Sequence, residues 1–248
     1  MIKVGITGGD GFLGYHTYHT LKFDKGFKVI KLNKEFYNDL RIKDCKWVIH
    51  LAGVNKGKNL IKKNVDVTKL LLDSVQKGCN IIYSSSWHAE LNTEYGQSKY
   101  KCEVLIKDWC EKNKSKFYNL RLPNIFGPFC KPNYNSFVAT FCNNIVKNKH
   151  VEARPDSLVN LIYVNDVVDV FKKCLNNKKF NFVTTKIRVD KVLQKLIKFK
   201  QDYFNELKIP NLNNKFDRNL FNTLLSYVDE RDRLLSVKSF NDDRGQIF

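Results

Sequence analysis

The chain has 248 residues, 43% of them hydrophobic, which is enough for one α/β domain with a full core. Its formal net charge of +18 is spread along the whole chain without a helix-turn-helix, zinc or RNA-recognition motif, so we expect no nucleic-acid partner. The seven cysteines lack metal-binding spacing, no apolar run is long enough for a bilayer, and the N-terminus has no signal-peptide pattern. We therefore expect a cytoplasmic protein with reduced thiols, no membrane association and no metal.

The first element is a short apolar run at residues 2–6, which predicts a buried parallel strand. It ends in a loop that carries Gly8, Gly11 and Gly14, and a helical pattern follows over residues 12–21. Gly8 allows the tight turn, Gly11 lets a pyrophosphate approach the backbone, and Gly14 lets the helix lie close to the strand. This spacing predicts a dinucleotide site, with the phosphates on the free N–H groups at the helix N-terminus.

The residues after the second predicted strand, 27–32, bear on the choice of cofactor. NAD-binding units usually have an acid here that holds the ribose 2′-hydroxyl. This chain has Asn33 and Lys34 instead, which favours a 2′-phosphate and therefore NADPH. The alternative, that Lys34 is one more surface lysine, stays open.

Two further strands and two helices complete the first half of the chain. Residues 47–53 predict a third buried strand ending in a glycine turn, and residues 60–75 a helix. Residues 81–83 predict a fourth strand, which ends in Ser84, Ser85 and Ser86. Strand ends of this kind are where open α/β sheets bind ligands, although serines there also serve as turn formers.

A Tyr/Lys pair begins the next helix, predicted over residues 95–112. Tyr95 and Lys99 are four residues apart and therefore share one helical face. Alone, such a pair occurs by chance in many helices. The order of a glycine loop, a strand ending in serine and then this pair makes a chance occurrence less plausible.

The C-terminal third is less regular. Residues 159–164 and 180–183 predict strands, and residues 166–175, 189–199 and 216–227 predict helices. We expect these elements to form a small C-terminal lobe.

Taken in order, these motifs resemble the extended short-chain dehydrogenase/reductases, the NAD-dependent epimerase/dehydratase family. The matching residues are Thr7-Gly8-x-x-Gly11-x-x-Gly14, His50-Leu51-Ala52-Gly53, Ser84–Ser86, Tyr95-x-x-x-Lys99, Arg121-Leu122-Pro123-Asn124-Ile125-Phe126-Gly127-Pro128 and Tyr163-Val164-Asn165-Asp166-Val167. The resemblance implies an α/β fold with a Rossmann-type doubly wound parallel sheet and a small C-terminal substrate-binding lobe.

A narrower resemblance is to bacterial capsule-sugar reductases that act on UDP-2-acetamido-2,6-dideoxy-hexos-4-uloses. It is carried by residues 124–127, 130–136 and 139–142. In that group a cupin domain follows the reductase domain, and residues 241–245 resemble the entry to it. We therefore expect a reductase domain over residues 1–238, with its small lobe from about residue 150, and a tail over residues 239–248. The cupin itself is absent here, so an epimerase of that kind would be a partner in cis or in trans.

The resemblance also implies roles for the catalytic residues. Tyr95 is the expected proton donor for a keto reduction, and the Lys99 ammonium is expected to lower its pKa, ordinarily about 10. Lys99 would also bind the nicotinamide ribose. Ser86 would polarise the substrate carbonyl, with Ser85 as the alternative because strand ends are uncertain by about a residue.

Two sets of binding residues follow from the same resemblance. The expected cofactor contacts are Gly8, Asp10, Gly11, Phe12, Leu13, Gly14, Asn33, Lys34, Asp39, Leu40, Leu51, Ala52, Gly53, Asn64, Ser84, Tyr95, Lys99, Leu122 and Pro123. The expected substrate contacts are Val54, Asn55, Ser86, Asn124, Lys131, Asn133, Asn135, Ser136 and Arg154. Turn formation is an equal alternative for Asn133 and Asn135, and a solvated surface position is an equal alternative for Arg154.

We therefore predict NADPH-dependent reduction of the 4-keto group of a UDP-linked 2-acetamido-2,6-dideoxy-hexos-4-ulose. The resemblance also implies a homodimer, in which the helices at 60–75 and 95–112 pair across a two-fold axis as in the family. A 4-epimerase or 4,6-dehydratase of the same fold is the nearest alternative, but Trp87 and His88 stand where dehydratases usually carry an acidic pair. A catalytically silent NADP-binding scaffold, or an RNA-associated protein, is the other alternative, which the intact Ser86, Tyr95 and Lys99 disfavour. The segment 236–248 is expected to be poorly ordered or pinned only by a neighbour.

Overall fold

A computed structural model describes residues 1–33, 35, 38–153, 157–229, 240–243 and 245–247. Its larger sheet has five parallel strands in the order β2-β1-β3-β4-β5. These are β1 (Ile2–Thr7), β2 (Phe27–Leu32), β3 (Trp47–His50), β4 (Asn80–Ser86) and β5 (Phe117–Leu122). All five carboxyl ends therefore lie at one edge, which is where ligands bind in open α/β sheets.

Helices cover both faces of this sheet, which explains why its strands are continuous apolar runs. The helices concerned are α1 (Phe12–Lys22), α2 (Leu60–Ser74), α3 (Glu94–Lys112) and α5 (Val164–Leu175). Adjacent residues of one strand face opposite layers: Ile49 packs in the cluster with Leu21 and Phe171, and Val48 packs in the cluster with Leu71. Both Val48 and Ile49 are fully buried. The arrangement is the Rossmann-type α/β fold that the sequence predicts.

A smaller sheet has the order β6-β7-β8, with β6 (Asn124–Phe126) parallel to β7 (Leu158–Tyr163) and β8 (Thr185–Arg188) antiparallel to it. The helices α4 (Phe137–Val146), α6 (Val189–Lys200) and α7 (Lys215–Leu225) join it around a second apolar cluster. Phe126 and Phe141 are members of that cluster. The lobe therefore draws on residues well before the expected boundary at about 150.

Two parts of the sequence interpretation need correction. Neither β5 nor α4 had been predicted as an element, and the strand predicted at 180–183 is wrong, because the strand lies at Thr185–Arg188. Phe180 and Phe182 produce the alternating pattern, but they pack as side chains against the first cluster without joining a sheet. Within the described ranges, every helix is too short or too polar to cross a bilayer.

The C-terminal tail is described only in part. Residues 240–242 and 245–247 form an antiparallel pair, β9 (Phe240–Asp242) and β10 (Gly245–Ile247). Residues 230–239, 244 and 248 lie outside the described residues. The expected poor order of segment 236–248 and its likeness to a cupin entry stay predictions.

Candidate active site

The glycine loop between β1 and α1 is shaped by contacts that only glycine permits. Gly8 has φ +68°, and a Cβ there would lie 2.8 Å from the backbone nitrogen of Ala52. A Cβ on Gly14 would overlap the carbonyl oxygen of Gly8. Gly11 is the N-cap of α1 and supplies no side-chain cap, so the first amide groups of this helix stay available to an anion. These observations fit the pyrophosphate of a dinucleotide.

Lys31, near the end of β2, lies against this loop. A Cβ on Gly9 would lie 2.6 Å from Lys31 Cγ, and the Lys31 ammonium forms an ion pair with Asp10. The Asn33 side chain accepts a hydrogen bond from the amide of Glu35 at 3.1 Å. Lys34, the other predicted determinant of cofactor choice, lies outside the described residues. The structure therefore adds Lys31 as a cation at the loop.

The segment after β3 is held by a buried polar network. Thr7 Oγ1 accepts hydrogen bonds from the amides of Leu51 and Ala52, each at 3.2 Å, and lies 2.8 Å from His50 Nδ1. Burial lowers the pKa of His50 to about 3, so its ring is neutral. His50 therefore holds backbone in place, and the described residues contain no His/Cys/Asp/Glu group suited to a metal.

Asn64 also has a structural task. Its Oδ1 accepts from the amide of Val54 at 2.7 Å, and its Nδ2 donates to the Val54 carbonyl and to Ser98 Oγ at 2.8 and 2.9 Å. Asn64 is 3% exposed. It thus ties the loop after β3 to α3, and its direct contact with cofactor stays a prediction.

The three serines at the end of β4 have different surroundings. Ser85 is buried and donates its hydroxyl hydrogen to Glu103. Ser86 is half-buried, its Oγ accepts a hydrogen bond from the His88 amide at 3.2 Å, and its interaction with Tyr95 acts to lower the pKa of that phenol. The Ser84 carbonyl accepts a hydrogen bond from Lys99 Nζ at 2.9 Å. Of the two candidates for polarising a substrate, Ser86 is therefore the one beside the tyrosine.

Tyr95 stands in the first turn of α3, where Thr93 caps the helix by accepting from the Gly96 amide at 3.0 Å. Burial raises the pKa of Tyr95, although the hydrogen bond with Ser86 acts in the opposite direction. Lys99 Nζ is 5.9 Å from the Tyr95 ring centroid and donates to backbone instead. Our expectation that the ammonium lowers the pKa of Tyr95 is therefore wrong for this structure, because desolvation of the phenolate is the larger effect.

Lys99 is itself perturbed. Burial lowers its pKa to about 8, with Cys102 and Glu103 acting against that shift. Its Nζ also lies 4.9 Å from the ring centroid of Tyr83, and a Cβ on Gly53 would lie 4.0 Å from it. A lysine with a pKa this near neutrality can hold or release a proton under physiological conditions.

Sequence reasoning missed an ion pair beneath these residues. Arg121 Nη2 is 2.6 Å from Glu103 Oε2, and Arg121 Nη1 is 2.8 Å from Glu90 Oε1. Burial alone would raise the pKa of Glu103, but hydrogen bonds from Arg121 and Ser85 outweigh it and lower that pKa. The available signal was spacing, since Glu103 follows Lys99 by one helical turn.

Two cavities lie at the carboxyl edge of the large sheet. One, of about 330 Å³, adjoins the glycine loop and is lined by Asp10, Gly11, Phe12, Tyr15 and Phe129. The other, of about 550 Å³, is lined by Ser86, Trp87, His88, Glu90, Leu91, Arg121, Leu122, Pro123 and Asn124. The second cavity brings predicted catalytic, cofactor and substrate residues together in one cleft.

The remaining predicted contacts are distributed as follows. Asn133 has φ +56° and donates its amide to Thr140 Oγ1 at 2.9 Å, and Ser136 caps α4, which supports the turn-forming alternative for this loop. Asp39 caps a short 3-10 helix and pairs with Arg41 at 2.6 Å, while Leu40 is exposed. Arg154 lies outside the described residues. Ligand contacts by these residues, and by Leu13, Asn55, Lys131 and Asn135, stay predictions.

Comparison with known proteins agrees with this geometry. Residues 4–184 match the model of the NAD dependent epimerase/dehydratase family. A UDP-2-acetamido-2,6-beta-L-arabino-hexul-4-ose reductase from Pseudomonas aeruginosa is 31% identical over 98% of this chain and 70% of its own length. The capsular polysaccharide assembling protein CapF from Staphylococcus aureus superposes with TM-score 0.82 at 28% identity, over 98% of this chain and 70% of that one.

A more distant structure shares the fold. The UDP-glucose 4-epimerase of Thermotoga maritima has TM-score 0.72 at 19% identity, over 91% of this chain and 98% of its own. Most of the present chain thus matches a family model and, along nearly its whole length, a relative above 30% identity. The chain belongs to the NAD dependent epimerase/dehydratase family.

Proposed function

We propose that the protein is an NADPH-dependent reductase of the 4-keto group of a UDP-2-acetamido-2,6-dideoxy-hexos-4-ulose. The observation that carries the proposal is that Ser86, which lines the larger cleft, acts on the pKa of Tyr95, whose helix carries Lys99 one turn further on. The relative from Pseudomonas aeruginosa, named as a reductase of such a sugar, supports the choice of substrate. The bound nicotinamide would supply the hydride, and the protein supplies the rest.

Ser86, Tyr95 and Lys99 have different roles in the proposed proton transfer. The Ser86 hydroxyl hydrogen-bonds the substrate carbonyl oxygen, and the Tyr95 hydroxyl donates the proton that converts this oxygen to an alcohol. The raised pKa of Tyr95 suits this direction, because the phenol then keeps its proton at neutral pH. Once Tyr95 has given up its proton, the Lys99 ammonium, which donates to the Ser84 carbonyl in this structure, turns to the phenolate, returns a proton to it and is itself reprotonated from solvent. Its pKa of about 8 is close enough to neutrality for that exchange.

Cofactor binding is assigned to the glycine loop and the residues around it. Gly8, Gly11 and Gly14 would admit the pyrophosphate, as the Cβ contacts above require. We propose NADPH over NADH because Asn33 replaces the usual acid and two lysines, Lys31 and Lys34, stand near the end of β2. The 2′-phosphate of NADPH can form charge-assisted hydrogen bonds with such cations, whereas the neutral ribose 2′-hydroxyl of NADH gains no such charge assistance.

The experiment that tests the proposal is NADPH oxidation with a panel of UDP-linked 4-keto-6-deoxy sugars, followed by assignment of the product's configuration. We expect stoichiometric oxidation with a 2-acetamido substrate. A 4-epimerase or 4,6-dehydratase would convert sugar without net cofactor oxidation, and a silent scaffold would bind NADPH without turnover. Either result would contradict the proposal.

We further propose a homodimer formed through the outer faces of α2 and α3. The large apolar side chains Leu70, Tyr100 and Val104 lie on these helices and are 43%, 52% and 40% exposed. An exposed apolar patch of this kind often marks a protein–protein interface. A two-fold interface would bury the same patch on both subunits. Light scattering should give twice the chain mass at micromolar concentration, and a monomer mass would contradict this.

The domain assignment is part of the same proposal. We propose that residues 1–238 form the reductase domain, that the tail at 239–248 resembles the start of a cupin, and that a cupin epimerase acts with the reductase in cis or in trans. The CapF chain extends beyond the part that this chain matches, since this chain covers 70% of it. Deleting residues 239–248 should leave reductase activity unchanged, and loss of activity would show that the tail belongs to the domain.

A further inference from the structure

Two loops of the candidate site are joined by a single lysine. One loop follows β3 and begins with Leu51, Ala52 and Gly53, and the other follows β6, whose first residue, Asn124, lines the larger cleft. Lys56, in the first loop, donates a hydrogen bond through Nζ to the backbone carbonyl of Tyr134 in the second. The mechanism proposed above makes no use of Lys56.

The contact brings two ammonium groups to one aromatic ring. Lys56 Nζ lies 5.5 Å from the ring centroid of Tyr134, and Lys131 Nζ lies 5.8 Å from the same centroid. An ammonium has three N–H donors, and Lys56 gives one of them to the carbonyl. The others remain directed to solvent or to a ligand. A bound anion beside this ring would be attracted by both ammonium groups.

The two loops carry no acid of their own, and an acid beside the first of them, Glu94 on α3, accepts a hydrogen bond from the Leu60 amide at 2.8 Å. Residues 45–65 and 112–151, which contain both loops, have no Asp or Glu. In the part of the chain that the structure describes, none of the ion pairs involves Lys56, Lys58 or Lys131. The two loops are therefore a concentration of unpaired positive charge at the site, and such a region raises the local concentration of an anionic ligand.

A neighbouring acceptor is also incomplete. Asn55, next to Lys56, has a buried Oδ1 without a hydrogen-bond partner among the described residues. Buried acceptors are almost always satisfied by protein, water or ligand. A ligand hydroxyl or an ordered water that accompanies a ligand would complete it.

We infer that Lys56 and Lys131 form a two-lysine clamp that binds the diphosphate of the nucleotide substrate, with Tyr134 between them. Lys56 is thereby assigned as a substrate-binding residue from a loop that sequence reasoning connected only with Val54 and Asn55. The inference rests on the proposed function in one respect, that the substrate is a nucleoside diphosphate derivative. The two ammonium groups attract negative charge, so the clamp distinguishes a diphosphate from an uncharged nucleoside.

The test measures binding of UDP and of uridine to the full chain and to Lys56→Ala, with Lys58→Ala as the matched control. Lys58 is in the same loop, is exposed, and makes no hydrogen bond or ion pair among the described residues. We expect Lys56→Ala to weaken UDP binding about tenfold, as for a lost charge-assisted hydrogen bond, and to leave uridine binding unchanged. Lys56→Arg should retain UDP binding within about threefold because the charge is kept.

NADPH affinity serves as the internal control for folding and should be the same in all variants. Equal UDP affinity in Lys56→Ala and Lys58→Ala would overturn the clamp, as would an equal loss of UDP and uridine binding. If the parent fails to reduce any keto sugar but binds UDP through Lys56, the clamp stands and the proposed reaction is wrong. If it reduces the sugar and UDP binding is indifferent to Lys56, the clamp alone is wrong.

Discussion

The lowered pKa of Lys99 predicts a specific pH dependence for the proposed reduction. Lys99 is buried beside Tyr83 on β4 and one helical turn after Tyr95, and burial lowers its pKa to about 8. The proposed mechanism needs its charged form, which stabilises the tyrosinate left after proton donation. Activity should therefore be highest below this pKa and fall as the pH rises through it.

The magnitude follows from the same value. With a pKa of about 8, roughly a tenth of the Lys99 side chains keep their proton at about pH 9, so kcat/KM should fall about tenfold between neutrality and that pH. His50, the nearest buried imidazole, is neutral throughout this range, since its pKa is about 3. Tyr95 does not contribute below about pH 10, because its pKa is raised.

The assay is kcat/KM for the 4-keto sugar, measured from about pH 6 to about pH 10 at saturating NADPH, with circular dichroism at each pH to confirm folding. Lys99→Arg should remove the decline, because a guanidinium stays charged, even if its maximal rate is lower. Glu103→Gln should move the decline to lower pH, because Glu103 raises the pKa of Lys99. A profile that is flat to about pH 10, or an identical decline in Lys99→Arg, would refute the assignment.

Three other predictions follow from the structure and the sequence. Tyr95→Phe should leave NADPH binding nearly intact and reduce kcat about a hundredfold or more, as for a lost general acid, and a parental rate would refute the proton-donor role. Arg121→Met should lower the free energy of unfolding by about 2–3 kcal/mol, measured by urea denaturation, because it leaves the 7%-exposed Glu103 carboxylate without its cation. Arg41→Met, at an exposed pair, should cost clearly less than Arg121→Met, and equal losses would contradict this. The parent should bind NADPH about tenfold more tightly than NADH, Asn33→Asp should reverse that order, and an equal or tighter NADH affinity in a titration would refute it.

The sequence predicts features that depend on residues close together in the chain better than features that depend on residues far apart. The glycine loop was predictable because its constraints are local: a positive φ at Gly8 and a close approach at Gly14 act within a few residues. The choice between Ser85 and Ser86 was not, because neighbouring residues of a strand face opposite sides and only the packed helix shows which side is buried. Tyr134 and Lys56 are far apart in the chain, so their contact leaves no local pattern at all.

Electrostatics was the other limit. The sequence places Lys99 one turn from Tyr95, and that spacing alone led us to expect a lowered tyrosine pKa. Burial, which no local pattern reports, reverses the direction of the shift. Burial also lowers the pKa of Lys99, to about 8. The tyrosine therefore holds its proton more tightly, and the lysine holds its proton less tightly, than their spacing led us to expect.

One helix–strand register accounts for the whole catalytic arrangement. Tyr95, Lys99 and Glu103 recur at successive turns of α3 and bond, respectively, the Ser86 side chain, the Ser84 carbonyl and the Ser85 hydroxyl. An interaction between neutral groups such as Tyr95 and Ser86 contributes about 1 kcal/mol, whereas loss of the Arg121 cation beside Glu103 is expected to cost about 2–3 kcal/mol. The position of Tyr95, the proposed proton donor, is therefore held chiefly by Glu103 and Arg121, which lie further along the helix and on β5. This leaves the Tyr95 hydroxyl free to exchange its partner for the substrate oxygen without loosening the helix.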